Sequence, residues 1–153
     1  MKIEQFLLPQ CTLTGVQGGS KKRVLQLIAN LLAEYSSNID ANELFDNLIN
    51  RERLGSTGFG NGIAIPHCRL ESCHKPFACL LKLEEGIDFD AIDGHPVDVI
   101  FALVVPAEAT NEHLAILQEL ATRFENSSYR NNLRQADTNP DLFDIAIQSV
   151  PTA

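Results

Sequence analysis

At 153 residues and 44% hydrophobic content, the chain has the length and apolar fraction of one domain with a sizeable core, 1–153, and no length for a second. A net charge of −8 with only 12 Lys and Arg argues against a nucleic-acid backbone or an anionic membrane as partner. The apolar run in residues 1–10 is too short for a signal peptide and that at 99–105 too short for a membrane span, so the expected location is cytoplasmic, with the four cysteines reduced.

Residues 1–19 read as an extended lead-in ending at Gly18 and Gly19. Ser20 is a good N-cap for a first helix whose Val24, Leu27, Ile28, Leu31, Leu32 and Tyr35 recur at helical spacing. Lys21, Lys22 and Arg23 in its first turn oppose the helix dipole, and a solvated helix end is the favoured reading of that charge. Asp40 and Glu43 resemble a capping box for a second helix with Leu44, Phe45, Leu48 and Ile49 inward, ended by Gly55.

The stretch from Gly55 to His67, GSTGFGNGIAIPH, holds four glycines in eight positions. That density permits positive φ or a close approach, at an entropic cost a merely structural loop seldom carries. Ile63, Ala64 and Ile65 read as a short buried strand, and Pro66 disfavours helix before it, so His67 is expected where an extended segment leaves a sheet. Residues 77–83 read as a strand. Between 87 and 99 an Asp93-Gly94 turn separates IDFDAI from HPVDV, which predicts a hairpin. VIFALVV at 99–105 is apolar on both faces and belongs in the middle of a covered sheet. Thr110 is expected to cap a helix carrying Leu114, Leu117, Ala121 and Phe124 on one side, with His113 in its first turn. A short helix near 128–135 and a last one from Pro140 to about Gln148 complete the reading.

Several chemistries can be weighed against these residues. A Walker loop needs Lys-Ser/Thr after its last glycine, and here Gly62 is followed by Ile63 and Ala64; a dinucleotide fingerprint opens a helix, whereas this loop opens a strand. His67, Cys68, Cys73 and His74 are zinc-ligand types, but adjacent ligands on an extended chain point apart, and small buried thiols are the simpler reading. Asp88, Asp90, Asp93 and Asp98 suit a solvated hairpin. His67 differs, because a neutral imidazole is nucleophilic at nitrogen and can take a phosphoryl group. Phosphoryl transfer chiefly needs positioning and donors for the equatorial oxygens. Candidates are the amides of the glycine loop at Gly58 and Gly60, the hydroxyls of Ser56 and Thr57, the Arg51 guanidinium and His113 at a helix N-terminus.

The segment from Arg51 to His67 closely resembles the phosphorylation-site segment of the phosphotransferase-system enzyme IIA components of the fructose/mannitol class (EIIA type-2), and most closely the nitrogen-regulatory IIA proteins. SKKR from Ser20, FDAIDGHPVD from Phe89, FALVVPAE from Phe101, and His113-Leu114 fall in that family's order, so the resemblance covers nearly the whole chain. It implies an α/β fold of one domain, a mixed β-sheet flanked by helices. It also implies a phosphohistidine carrier without a cofactor or metal. His67 would accept the phosphoryl group on Nε2 from an HPr-like phosphocarrier (NPr), itself charged from phosphoenolpyruvate by an enzyme I. His113 would orient the group, with Arg51 the nearby cation of the pattern. Partners would then be regulated target proteins such as transporters or kinases, read according to phosphorylation state. The alternatives are a sugar-specific IIA that passes phosphate to a fructose/mannitol-type IIB and, more remotely, a thiol or metal-binding module. Phe59 stands where a small aliphatic residue is expected, and Cys68 where Gly often follows the histidine; both bear on the rim where carriers would dock.

Overall fold

The computed structural model describes residues 2–108 and 110–150. Its strands are β1 (Leu7–Val16), β2 (Gly58–Gly60), β3 (Ile63–Ala64), β4 (His67–Leu70), β5 (Phe77–Ile87) and β6 (Val97–Pro106). Its helices are α1 (Lys21–Glu34), α2 (Ala41–Leu54), α3 (Thr110–Glu125), α4 (Ser127–Gln135) and α5 (Asn139–Ile147), with a 3-10 turn at Ile3–Gln5. All six strands form one mixed sheet in the order β1-β5-β6-β3-β2, with β4 also paired to β6. The pair β1/β5 is parallel and β5/β6 antiparallel, while β3 and β4 both run parallel to β6.

The strand at 97–106 is central and buried on both faces, as its unbroken apolar run requires. Alternation along it separates two cores. Ile100, Ala102 and Val104 pack with α1 and α2 through Val24, Ile28, Leu44 and Leu48. Val99, Phe101, Leu103 and Val105 pack with α3 to α5 through Ile116, Leu120, Phe124, Tyr129 and Leu142. Each fully buried Leu, Ile or Phe contributes about 1.5–3 kcal/mol, so both layers of helices are held to the sheet chiefly by this burial.

Local signals agree with these elements. The Ser20 hydroxyl accepts from the Arg23 amide at 3.1 Å and the Asp40 carboxylate from the Glu43 amide at 3.0 Å. The expected cap at Thr110 lies outside the described side chains. Three expectations need correction, the first being the inner side of α3, where Leu114 is exposed and Ile116 and Leu120 join Phe124 in the core. Residues 88–96 are a loop, not hairpin arms: β5 ends at Ile87, paired with Val97, Asp90 takes a φ of 55°, and the tight turn runs from Ala91 to Gly94. The buried-exposed alternation of Ile87 to Asp90 is real, but it comes from Phe89 anchoring the loop in the core rather than from a strand. His67, expected at a sheet exit, instead opens β4. Pro66 has no N–H and so splits the extended run, yet its carbonyl accepts from the Leu103 amide at 2.9 Å and keeps the chain alongside β6.

Candidate functional site

The site follows from where β4 starts. Ile63 and Ile65 belong to the core on the α3 side, and two-residue alternation puts His67, in register with Leu103, on that same side, while Cys68 turns into the opposite core. Among the described residues β4 pairs only with β6, so His67 lies at a sheet edge where α2 and α3 both reach it. His113, in the first turn of α3, meets it with ring centroids 5.4 Å apart and planes at 57°. Asn47, Asn50, Arg51 and Leu54 of α2, with Cys68 and Arg69 of β4, line the rest of the cleft.

The carbonyl of Ile65 lies 2.7 Å from Nδ1 of His67. A carbonyl only accepts, so Nδ1 carries the hydrogen and Nε2 holds the lone pair. Burial pushes the His67 pKa below the ordinary imidazole value; the Ile65 hydrogen bond opposes that, Arg51 reinforces it, and Glu52 opposes it. The ring is therefore neutral and nucleophilic around neutral pH. His113 is also held below the ordinary imidazole value, at about 4, first by burial and then by His67, Arg69 and Arg51. Its Nδ1 is buried without a hydrogen-bond partner among the described residues.

Arg51 donates to the Gly55 carbonyl at 2.9 Å and so caps α2, and its guanidinium has further N–H groups beyond the one used there. Arg69, two residues after His67 and so on the same side of the strand, is exposed and forms no ion pair with a described residue. Sequence reasoning missed Arg69, although strand alternation from His67 was enough to find it. Leu54 and Leu114, 86% and 62% exposed, add apolar surface beside the two histidines.

The glycine loop is placed differently from expectation. None of Ser56, Thr57, Gly58 and Gly60 lines the cleft. The Ser56 hydroxyl donates to the Phe89 carbonyl at 2.7 Å and accepts from the Gly58 amide at 3.0 Å. Thr57 gives both its amide, at 3.1 Å, and its hydroxyl to the buried Glu52 carboxylate. A Cβ on Gly58 would sit 2.7 Å from the Ala91 backbone, so the close approach that demands glycine is to the 88–96 loop. Asn61, at φ 58°, donates its amide to Asp93 at 3.0 Å while Arg134 holds its carbonyl at 2.6 Å. Lys21 is likewise not a solvated helix end, for it pairs with Glu52 at 2.9 Å.

Among the described residues no three His, Cys, Asp or Glu side chains converge as a metal site. Cys68 and Cys73 are buried in the α1/α2 core, while His74 is exposed. Burial raises the Cys68 thiol to about 12 and raises that of Cys73, which removes their thiolates at neutral pH.

The family model for the phosphoenolpyruvate-dependent sugar phosphotransferase system, EIIA 2, matches residues 5–149. The chain belongs to that family. It is 50% identical over 147 residues to a nitrogen regulatory protein of Pseudomonas aeruginosa, covering 96% of each chain. The crystal structure of the nitrogen regulatory protein IIA-Ntr from Neisseria meningitidis matches with a TM-score of 0.88 and 37% identity, over 94% of this chain and 97% of that one. IIA mannitol from Escherichia coli shares the fold, with a TM-score of 0.73 at 16% identity over 90% and 95% of the two chains. The chain is thus a IIA-type phosphotransferase component with the mixed-sheet fold that the resemblance implies. No helix among the described residues is long and apolar enough to cross a membrane.

Proposed function

We propose that the chain is a phosphohistidine carrier of a nitrogen-related phosphotransferase system, accepting a phosphoryl group on Nε2 of His67 from an HPr-like protein. The observation that carries this reading is the Nδ1–H to Ile65 carbonyl bond, which leaves Nε2 as the nucleophilic atom. In the transfer, the bond from phosphorus to the donor's histidine nitrogen breaks as the bond to Nε2 forms. Nε2 carries no proton to be removed, and the Ile65 carbonyl stabilises the positive charge that develops on the ring through Nδ1–H. The equatorial oxygens would be met by Arg51, Arg69 and His113, while Ser56, Thr57, Gly58 and Gly60 would support the turn rather than the phosphoryl group.

Regulation would follow from charge. Phosphorylation adds about −1.5 to −2 charges beside the exposed Leu54 and Leu114, so target proteins such as transporters or kinases would distinguish the two forms by that face, in the cytoplasm. The full-length likeness to nitrogen regulatory proteins supports this reading over a sugar-specific IIA serving a separate IIB.

Intact-mass spectrometry after incubation with phosphoenolpyruvate, an enzyme I and an HPr-like carrier tests it. One acid-labile phosphoryl adduct on the wild type and none on His67→Ala is the expected result. An adduct that persists at a histidine in His67→Ala would overturn the site, and no adduct on the wild type would overturn the carrier function.

A further inference from the structure

Glu52 is the most deeply buried carboxylate among the described ion pairs, with its side chain 4% exposed, and it lies outside the lining of the His67 cleft. A carboxylate in that position costs free energy unless a counter-charge and several donors meet it. It has them from two elements. Lys21 of α1 reaches it at 2.9 Å, and Thr57 of the glycine loop supplies an amide and a hydroxyl. Lys21 is itself held in place: its ammonium sits 4.8 Å from the centroid of the Phe89 ring, 3.4 Å from the Phe89 carbonyl and 3.5 Å from the Asp90 carboxylate.

The hydrogen bonds continue from there to the nucleophile. Glu52 accepts from the Thr57 amide at 3.1 Å; the Thr57 carbonyl accepts from the Ile65 amide at 3.0 Å; the Ile65 carbonyl accepts from Nδ1–H of His67 at 2.7 Å. Each intermediate residue is gripped at both its amide and its carbonyl, so the backbone that orients the imidazole is fixed from the α1/α2 side. We infer that Glu52, locked by Lys21, is a positioning residue for phosphoryl transfer, acting through Thr57 and Ile65 to hold His67 in its Nδ1–H tautomer with Nε2 free. This rests on the phosphocarrier reading for its consequence, but not for its structure. Partners that orient a reactive imidazole from one shell further out commonly matter by 10–100-fold where they have been removed at metal sites, and the same geometric logic applies to a nucleophile that must be aimed. The Glu52 charge also counteracts the effect of burial on His67.

The test uses the full chain, with 15N NMR of the His67 ring as one readout and the rate of phosphorylation by an HPr-like carrier as the other. Wild type is expected to show the Nδ1–H tautomer as the dominant form. Glu52→Gln keeps the volume but offers one acceptor to Thr57's two donors, and Lys21→Met removes the counter-charge. Each is expected to mix the tautomers and slow phosphorylation about tenfold, while Lys21→Arg restores both readouts. Folded Glu52→Gln or Lys21→Met protein with unchanged tautomer and a rate within twofold of wild type would overturn the inference. Should both variants fail to fold, the wild-type ring decides: a dominant Nε2–H tautomer overturns it. A wild type that shows the Nδ1–H tautomer but takes no phosphoryl group would count against the carrier reading and leave the positioning network standing.

Discussion

The glycine loop at 55–62 and the cleft around His67 are separated by a few residues of chain and spend their polar groups in opposite ways. In the loop the Ser56 and Thr57 hydroxyls and the Thr57, Gly58 and Asn61 amides are all taken by internal partners. In the cleft, Nε2 of His67 holds a free lone pair, and among the described residues Nδ1 of His113 has no hydrogen-bond partner and Arg69 forms no ion pair. Buried polar groups cost free energy when unpaired, and on the phosphocarrier reading a phosphoryl group would complete those left in the cleft. On the proposed reading the loop is scaffold and the cleft is chemistry, although in sequence the loop looks like the phosphate binder.

Substitutions should separate the two regions by size and kind of effect. His67→Ala should abolish phosphorylation with little change in the fold, because the side chain is only half-buried; phosphoryl uptake and thermal unfolding measured together check both halves. His113→Ala should retain the acceptor but slow transfer by roughly 10²-fold, the low end for a positioned acid, base or hydrogen-bonding group. Arg69→Gln should slow it by about tenfold, as expected for one charge-assisted contact, read as kcat/KM against the carrier. Ser56→Ala should do the reverse, lowering stability by about 1 kcal/mol in a denaturant titration while the transfer rate stays within twofold. A tenfold loss of rate in Ser56→Ala would return the loop to the phosphate site.

The same contrast has a pH signature. His113 titrates at about 4 in the folded protein against 6.5 unfolded. Between those values the unfolded chain binds the extra proton, so stability rises with pH across the window. The stabilisation is complete above 6.5 and is lost as pH falls toward 4, by an amount on the order of 2–3 kcal/mol at about 1.4 kcal/mol per pH unit. His67, also lowered, adds with the same sign. Denaturant midpoints from pH 7 to 4 should fall steeply in wild type and less steeply in His113→Asn.

Much of this was legible in the sequence because its causes are local. Caps at Ser20 and Asp40 and the apolar run of β6 are written in neighbouring residues. The pairing of His67 with His113 and Arg51 came through the resemblance, since no periodicity relates residues on three separate elements. What sequence reasoning missed depends on distant partners. Lys21 reads as a solvated charge until Glu52, 31 positions on, is folded against it. Phe89 and Asp90 read as strand until the sheet ends at Ile87 and the loop folds over Gly58. Ser56 and Thr57 look like phosphate ligands because residue type says nothing of which partner is nearer.

The central claim is that Nε2 of His67 is the atom that takes the phosphoryl group. Long-range 1H–15N and 31P NMR of the phosphorylated, 15N-labelled protein reads that atom directly. The account predicts phosphorus coupled to Nε2 of His67 with the Nδ1 proton still present, and phosphorus on Nδ1, on His113 or on a cysteine sulfur would contradict it.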